Sequence, residues 1–289
     1  ALSSRPLANV SSMEFRPLGK TGTSVPSVGM GTWAIVRGKT SDMSNDAKAV
    51  EALRLGLDLG MSLIDTAEMY GAGHSEEVVC RAIAGRRDSV FIASKVSPSH
   101  FAYEDVLRSA RSSLKRLGIK QMDLCQLHWP NPRIPISETM MAMEKLANDG
   151  LIRYIGVSNF SVQQMREAQS AISKYEIVSN QVEYSLLERS IEADVLPYCE
   201  KEGVTVLAYS PLGQGKIPRG TGEDFKELDE VASRLGQTRS QVALSWLLHR
   251  DSVVVIPKAV KLDHVRENAQ VSKLRLGKKD YERLSKAFA

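Results

Sequence analysis

The chain has 289 residues, 43% hydrophobic and 25% charged, enough apolar content for one large core in a single unit. Its 38 basic and 34 acidic residues leave a formal charge of +4, which argues against a nucleic-acid surface but accommodates an anionic ligand in one pocket. Cys80, Cys125 and Cys199 are widely spaced with no CxxC pair; no segment has membrane-spanning length or signal-peptide character, so a cytoplasmic protein with neither nucleic-acid nor membrane partners is expected.

Residues 1–12 carry little periodicity and read as a flexible arm or an appended remnant, ahead of a single domain over 13–289 that opens on a native Met13. MEFRPLGKTGTSVPS has two short apolar pieces around Gly19 and Gly22, the pattern of a hairpin. Eight strand-like runs follow: 27–33, 61–67, 90–96, 122–130, 152–159, 177–184, 204–211 and 253–258. Most are nearly continuous apolar segments, as in a parallel sheet covered by helices. Amphipathic stretches alternate with them. Val50, Leu53, Leu57 and Leu59 supply one helical stripe, and Val106, Ala110, Leu114 and Leu117 another. Ser161 with Gln164, and Thr238 with Gln241, have capping-box spacing. Between strands seven and eight lie two helical patterns, EDFKELDEVASRLG and SQVALSWLLHR, of which the first is an addition to the strand–helix beat. The expectation is an α/β fold, a (β/α)8 TIM barrel with an N-terminal β-hairpin closing the bottom and an added helix before strand eight.

Active sites of such barrels collect at the C-terminal ends of the strands. Asp65, Tyr70, Lys95 and His128 fall at or just after three adjacent strand ends. Taken singly each has a bland explanation: a turn cap, a ring packed on a lid, a lysine reaching solvent, a core histidine. Together they suit hydride addition to a carbonyl, in which negative charge develops on oxygen and calls for a proton donor. Tyr70 can give that proton, Lys95 lowers the phenol pKa, Asp65 holds the ammonium, and His128 orients the substrate oxygen. No GxSxG elbow, P-loop or HExxH occurs. GAGHSEE at 71–77 reads as a turn before a helix starting at Ser75. No metal is expected: Asp65, His128 and Glu183 lack closed ligand spacing, and Lys95 would repel a cation. A Schiff-base role for Lys95 is the main chemical rival, opposed by Asp65, which would keep the amine charged.

At these residues the sequence resembles the aldo-keto reductase superfamily. The likeness runs through GMGTW at 29–33, LIDTAEMYG at 63–71, ASK at 93–95 and LCQLHWP at 124–130. It continues with IRYIGVSNF at 152–160, NQVEYSL at 180–186, LAYSPLGQG at 207–215, IPKA at 256–259 and REN at 266–268. The resemblance implies a barrel that binds an extended nicotinamide dinucleotide without a GxGxxG fingerprint, in agreement with the absence of that motif here. It implies Asp65, Tyr70, Lys95 and His128 as the catalytic tetrad, with Asp65 also beside the cofactor. It further implies Ser158, Asn159 and Gln181 on the carboxamide, Tyr209 stacked behind the nicotinamide, and Gly31, Thr32 and Trp33 near the reactive end. Ser210, Leu212 and Gly213 would surround the pyrophosphate. Ile256 would line the cofactor site, Lys258 would meet the 2′-phosphate, and Glu267 and Asn268 would hold adenosine.

Two departures bear on the cofactor. Ala259 stands where many members carry serine, and His264 where an arginine often stacks on adenine. Lys258 and His264, helped by Lys261 or Arg266, still favour NADP (NADPH), with NAD as a weaker alternative. Trp33, Tyr70, His128 and Trp129 outline an expected substrate pocket, with Ile35 and the NPRIP loop at 131–135 nearby. The implied partner is a small-molecule carbonyl or alcohol; a homo-oligomer is compatible but unspecified. Two alternatives remain open: a slow-turnover or non-catalytic nicotinamide-binding regulatory subunit, and a sugar-aldehyde or polyol dehydrogenase working mainly in the oxidative direction.

Overall fold

A computed structural model describes residues 13–36 and 45–289. The expectation for residues 1–12 lies outside the described residues. Strands β1 (Phe15–Pro17) and β2 (Ser24–Pro26) pair antiparallel, joined by a turn in which Gly19 and Gly22 take positive φ. Gly19 is the tighter of the two, since a Cβ there would stand 3.1 Å from the Val178 carbonyl oxygen.

The eight expected strands are all present, as β3 (Met30–Gly31), β4 (Leu63–Asp65), β5 (Phe91–Val96), β6 (Met122–Leu127), β7 (Ile152–Ser158), β8 (Ile177–Glu183), β9 (Thr205–Tyr209) and β10 (Val253–Val255). They form one parallel sheet in sequential order. The sheet returns on itself: Val28 bridges Val255 in parallel, and Gly29 and Gly31 donate to the carbonyls of Val255 and Pro257. This is the (β/α)8 barrel. Its interior holds Leu63, Ala93, Leu124, Val178, Leu207, Val254 and Ile256, capped by Leu18 and Val25 from the hairpin. The hairpin therefore closes the N-terminal end. Arg16 secures it there, its guanidinium donating to the carbonyls of Leu248, Arg250 and Val253.

Helices α1 (Asp46–Asp58), α2 (His74–Ala82), α3 (Tyr103–Leu117), α4 (Ile136–Asn148), α5 (Val162–Ser170) and α6 (Val195–Glu202) alternate with the strands. A short α7 (Lys216–Arg219) precedes the added α8 (Glu223–Leu235) and then α9 (Arg239–Leu247), α10 (Leu262–Gln270) and α11 (Lys278–Ala287). Both capping boxes form as expected, at Ser161 and at Thr238. The α3 stripe is buried as read. In α1 the face is turned: Ala49, Ala52, Leu53 and Gly56 are buried, while Val50, Leu57 and Leu59 are only partly covered. The small residues win because Met30 lies against the helix, and a Cβ on Gly56 would sit 2.0 Å from its sulfur. No helix of the described residues is long and apolar enough to cross a membrane.

Candidate active site

The four candidate residues converge at the C-terminal end of the barrel. Asp65 ends β4 and Lys95 lies near the end of β5, both almost wholly buried. Lys95 Nζ donates to Asp65 Oδ1 at 2.5 Å, to the Thr66 carbonyl at 3.0 Å and to the Tyr70 hydroxyl at 3.1 Å. Tyr70 opens a tight 3-10 turn, Tyr70–Gly73, in which Gly71, Ala72 and Gly73 all have positive φ. Such a run of left-handed residues is costly and turns the chain sharply into α2. The helix begins at His74, one residue earlier than read. Ser75 is not its cap; it sits in a buried hydroxyl chain, accepting from Thr66 and donating to Thr32. His128 follows β6, with its ring centroid 5.7 Å from that of Tyr70 in edge contact and 4.6 Å from that of Trp129.

The electrostatics of these groups are set by burial first. Burial alone would lower the Lys95 pKa, but the Asp65 and Tyr70 charges reverse this and hold the amine protonated. Burial pushes the Tyr70 phenol up, Lys95 opposes the rise and Asp65 adds to it. The net direction is upward, which corrects the expectation that Lys95 leaves the phenol below its ordinary value: Lys95 limits a rise that desolvation imposes. Burial, followed by repulsion from Lys95, pulls the His128 imidazole down to about 3. The ring is neutral at neutral pH, and its Nδ1 is sealed from solvent with no hydrogen-bond partner among the described residues. A neutral imidazole can donate to a substrate oxygen without competing with the phenol as an acid.

Around this centre lie the other sequence candidates. Ser158 ends β7 and donates to the Gln181 carbonyl at 2.9 Å; Asn159 follows with φ 58°, its amide donating to the His128 carbonyl at 3.2 Å. Half-buried Tyr209 ends β9 and donates to Asn159 Oδ1 at 3.0 Å. Ser210 and Gln214 also take positive φ in the following loop, with Leu212 and Gly213 between them. Gly31 and Ile256 meet at the barrel seam, where a Cβ on Gly31 would stand 2.6 Å from the Ile256 carbonyl oxygen. Buried Thr32 donates from its backbone to the Asp65 carbonyl, while Trp33 and Trp129 are exposed. Ile35 is buried in the main core. Lys258, Lys261 and His264 are exposed near the start of α10 and make no ion pair among the described residues; half-buried Glu267 and buried Asn268 lie in the same helix.

One polar residue at the centre escaped the sequence reading. Gln126, fully buried in β6, donates to Asp65 Oδ2 at 3.0 Å, and Gln181 Nε2 donates to the same oxygen at 2.8 Å. Its signal was available: on β6 it lies two residues after Leu124, which faces the barrel interior, and hence on the same face.

The aldo/keto reductase family model matches residues 27–288. The chain belongs to that family. Among similar proteins, the methylglyoxal reductase YeaE of Escherichia coli is 39% identical over 266 residues, covering 92% of each chain. The glyoxal reductase of Bacillus subtilis is 31% identical, covering 91% of this chain and 89% of its own. An aldo/keto reductase from Klebsiella pneumoniae, crystallised with NADPH, superposes with a TM-score of 0.87 at 35% identity, over 96% of both chains. As an aldo/keto reductase the chain is an oxidoreductase that works by hydride transfer with a nicotinamide cofactor. The residues fit such a cofactor. Asn159 and Ser210 carry positive φ after their strands, the Tyr209 ring is half-buried, and exposed Lys258, Lys261 and His264 make no ion pair among the described residues, as backbone donors, a plate and an anion site would require.

Proposed function

We propose that the chain is an NADPH-dependent reductase of small aldehydes and dicarbonyls, with Tyr70 as its proton donor. The observation that carries this reading is the buried chain Asp65–Lys95–Tyr70, with steps of 2.5 and 3.1 Å, beside a neutral His128. When bound, reduced nicotinamide supplies the hydride. Tyr70 gives its proton to the substrate oxygen as negative charge builds there, and Lys95 offsets the charge left on the phenolate. His128 positions that oxygen by a hydrogen bond. In alcohol oxidation the ionised Tyr70 is the base.

Ser158, Asn159 and Gln181 are assigned to the carboxamide, Tyr209 to the face of the nicotinamide, and Ser210, Leu212 and Gly213 to the pyrophosphate. Lys258, with His264, is assigned to the 2′-phosphate, and Glu267 and Asn268 to adenosine. NADP(H) is preferred because a fixed lysine charge meets a dianionic phosphate near a helix start, and because the Klebsiella pneumoniae relatives were crystallised with NADP and NADPH. Small dicarbonyls are favoured by the likeness to methylglyoxal and glyoxal reductases. Exposed Trp33, Met69, Trp129 and Leu187, each on a loop after a strand end, give the entrance an apolar rim.

The test follows NADPH absorbance with methylglyoxal, glyoxal and bulkier aldehydes, for wild type and Tyr70→Phe. Turnover of the small aldehydes is expected, with a loss of about 10²- to 10⁴-fold in the variant. Tight NADPH binding without turnover in wild type would replace the reductase reading with a regulatory one. Equal rates in the two proteins would remove Tyr70 from the mechanism.

A further inference from the structure

The centre of the site contains a hydrogen-bond network whose polarity is fully determined. Asp65 uses Oδ1 for Lys95 and Oδ2 for the two amides of Gln126 and Gln181. A carboxylate only accepts, so both glutamines must turn their NH₂ groups toward it. Gln126 can then offer only Oε1 to Gln181, which it does, accepting from Gln181 Nε2 at 3.1 Å. Both Nε2 hydrogens of Gln181 are consumed, one on Asp65 and one on Gln126. The remaining polar atom of that side chain, Oε1, has no partner among the described residues.

Gln126 reaches Gln181 across a strand. It stands on β6 and Gln181 on β8, with β7 between them, and its register partner on β7 is Gly156. A Cβ on Gly156 would lie 3.1 Å from Gln126 Cγ and 2.5 Å from Ser179 Oγ. The missing side chain is the space through which the Gln126 amide passes.

We propose that Gln126 is a positioning residue that, by taking the second N–H of a Gln181 amide whose first is held by Asp65, locks Gln181 as a hydrogen-bond acceptor for the carboxamide N–H of the nicotinamide. The inference rests on the reading of Gln181 as a carboxamide ligand given above. Free rotation of the Gln181 amide would present N–H and C=O with similar ease; the network leaves only the acceptor. Recognition of the amide nitrogen thus originates one residue behind the residue that touches it.

The experiment measures equilibrium binding of NADP⁺ and of its 3-acetylpyridine analogue, in which a methyl replaces the amide nitrogen, by quenching of tryptophan fluorescence. Wild type is expected to favour NADP⁺ by about tenfold, the size of one hydrogen bond made to a fixed acceptor. In Gln126→Leu the preference falls to about twofold, and Gly156→Ala, which obstructs the crossing, lowers it in the same direction. Gln126→Glu gives a signature that mere support of the core would not. The charged groups facing this position are Asp65 from β4 and Lys95 from β5; β7 and β8 present Gly156 and Gln181, and His128 follows on the same strand. Burial and the Asp65 carboxylate raise the pKa of the introduced carboxyl. Protonated, it donates to Asp65 and accepts from Gln181 as the amide does. Ionised, it still accepts from Gln181, so the preference is expected to survive in Gln126→Glu at every pH at which circular dichroism shows the fold intact. An undiminished preference in Gln126→Leu, or its loss in a folded Gln126→Glu, overturns the inference. So does a wild type that binds both dinucleotides equally, which leaves the proposed function standing; a wild type that binds neither overturns both.

Discussion

At the scale of single residues, the site works by keeping unlike protonation states side by side. His128 is the clearest case, because its imidazole is pulled down to about 3 by burial and by Lys95. An unfolded histidine titrates at about 6.5, so between these values the unfolded chain takes up a proton that the folded chain refuses. The stability associated with neutral His128 is present above about pH 6.5 and is lost as pH falls toward about 3. Urea unfolding of wild type and His128→Gln from pH 3 to 7 should yield a shallower acid decline in the variant, by about 1.4 kcal/mol per pH unit at the steepest. Parallel curves would mean that another group carries the acid sensitivity. Tyr70 shows the opposite sign of the same effect. Its phenol is held above its ordinary range, so the proton-donating form is complete at neutral pH. Reduction should be level from pH 6 to 9, while alcohol oxidation, which needs the phenolate, should rise with pH across that span. A reduction rate that falls through neutrality would contradict the assignment. The identities of Asp65, Tyr70, Lys95 and His128 were legible because unlike polar residues fell at strand ends. The direction of the Tyr70 shift was not, because desolvation depends on how many neighbouring atoms exclude water, and a sequence does not count them.

At the scale of elements, the site depends on abrupt changes of direction. Helix α2 starts from three successive left-handed residues, and Gly73 is packed so that a Cβ would meet Arg116 Cδ at 2.6 Å. Arg116, on α3, donates to Glu76 at 2.6 Å, and Ser94 donates to the same carboxylate at 2.6 Å, so the turn carrying Tyr70 is braced from two neighbouring elements. The capping box at Ser161 performs a comparable service, starting α5 so that Ser158 and Asn159 remain at the strand end. Helix α1 illustrates what periodicity misses. Its apolar stripe was read from the largest side chains, yet its closest approach to the barrel is made by Ala49, Ala52 and Gly56. Close approach rewards small size as much as hydrophobicity, and a hydrophobic pattern registers only the second. Gly56→Ala, which improves helix propensity, should nevertheless destabilise the protein by about 1–3 kcal/mol because of Met30. The midpoint of urea unfolding tests this; a rise in midpoint would show that Met30 yields freely.

At the scale of the whole molecule, stability and chemistry sit at opposite ends of the barrel. The hairpin fills the N-terminal end with Leu18 and Val25, and buried Arg16 satisfies three backbone carbonyls at the last helix–strand connection. Thr205 adds a further tie, accepting from the Gly19 amide and donating to the Pro17 carbonyl. Arg16→Met should remove those donors and strand the carbonyls, lowering stability by about 3 kcal/mol. Aldehyde reduction per folded molecule should change less than twofold, since the tetrad lies at the other end; thermal melting and steady-state rates measured on one preparation separate the two effects. A large loss of turnover with an unchanged melting temperature would mean that the ends are coupled.

By itself the sequence determined the strand–helix rhythm, the hairpin, the added helix, both capping boxes and the four polar residues at three strand ends. All of these are local patterns, written by periodicity, turn chemistry and spacing within a few residues. Only the tertiary structure decided which side chains touch across strands: Gln126 with Asp65 and Gln181, Gly156 as the gap between them, Thr66 with Ser75 and Thr32, and Gly56 against Met30. Those contacts join residues up to 61 positions apart. They follow from barrel closure and strand register, which are properties of how segments pack and not of any segment alone.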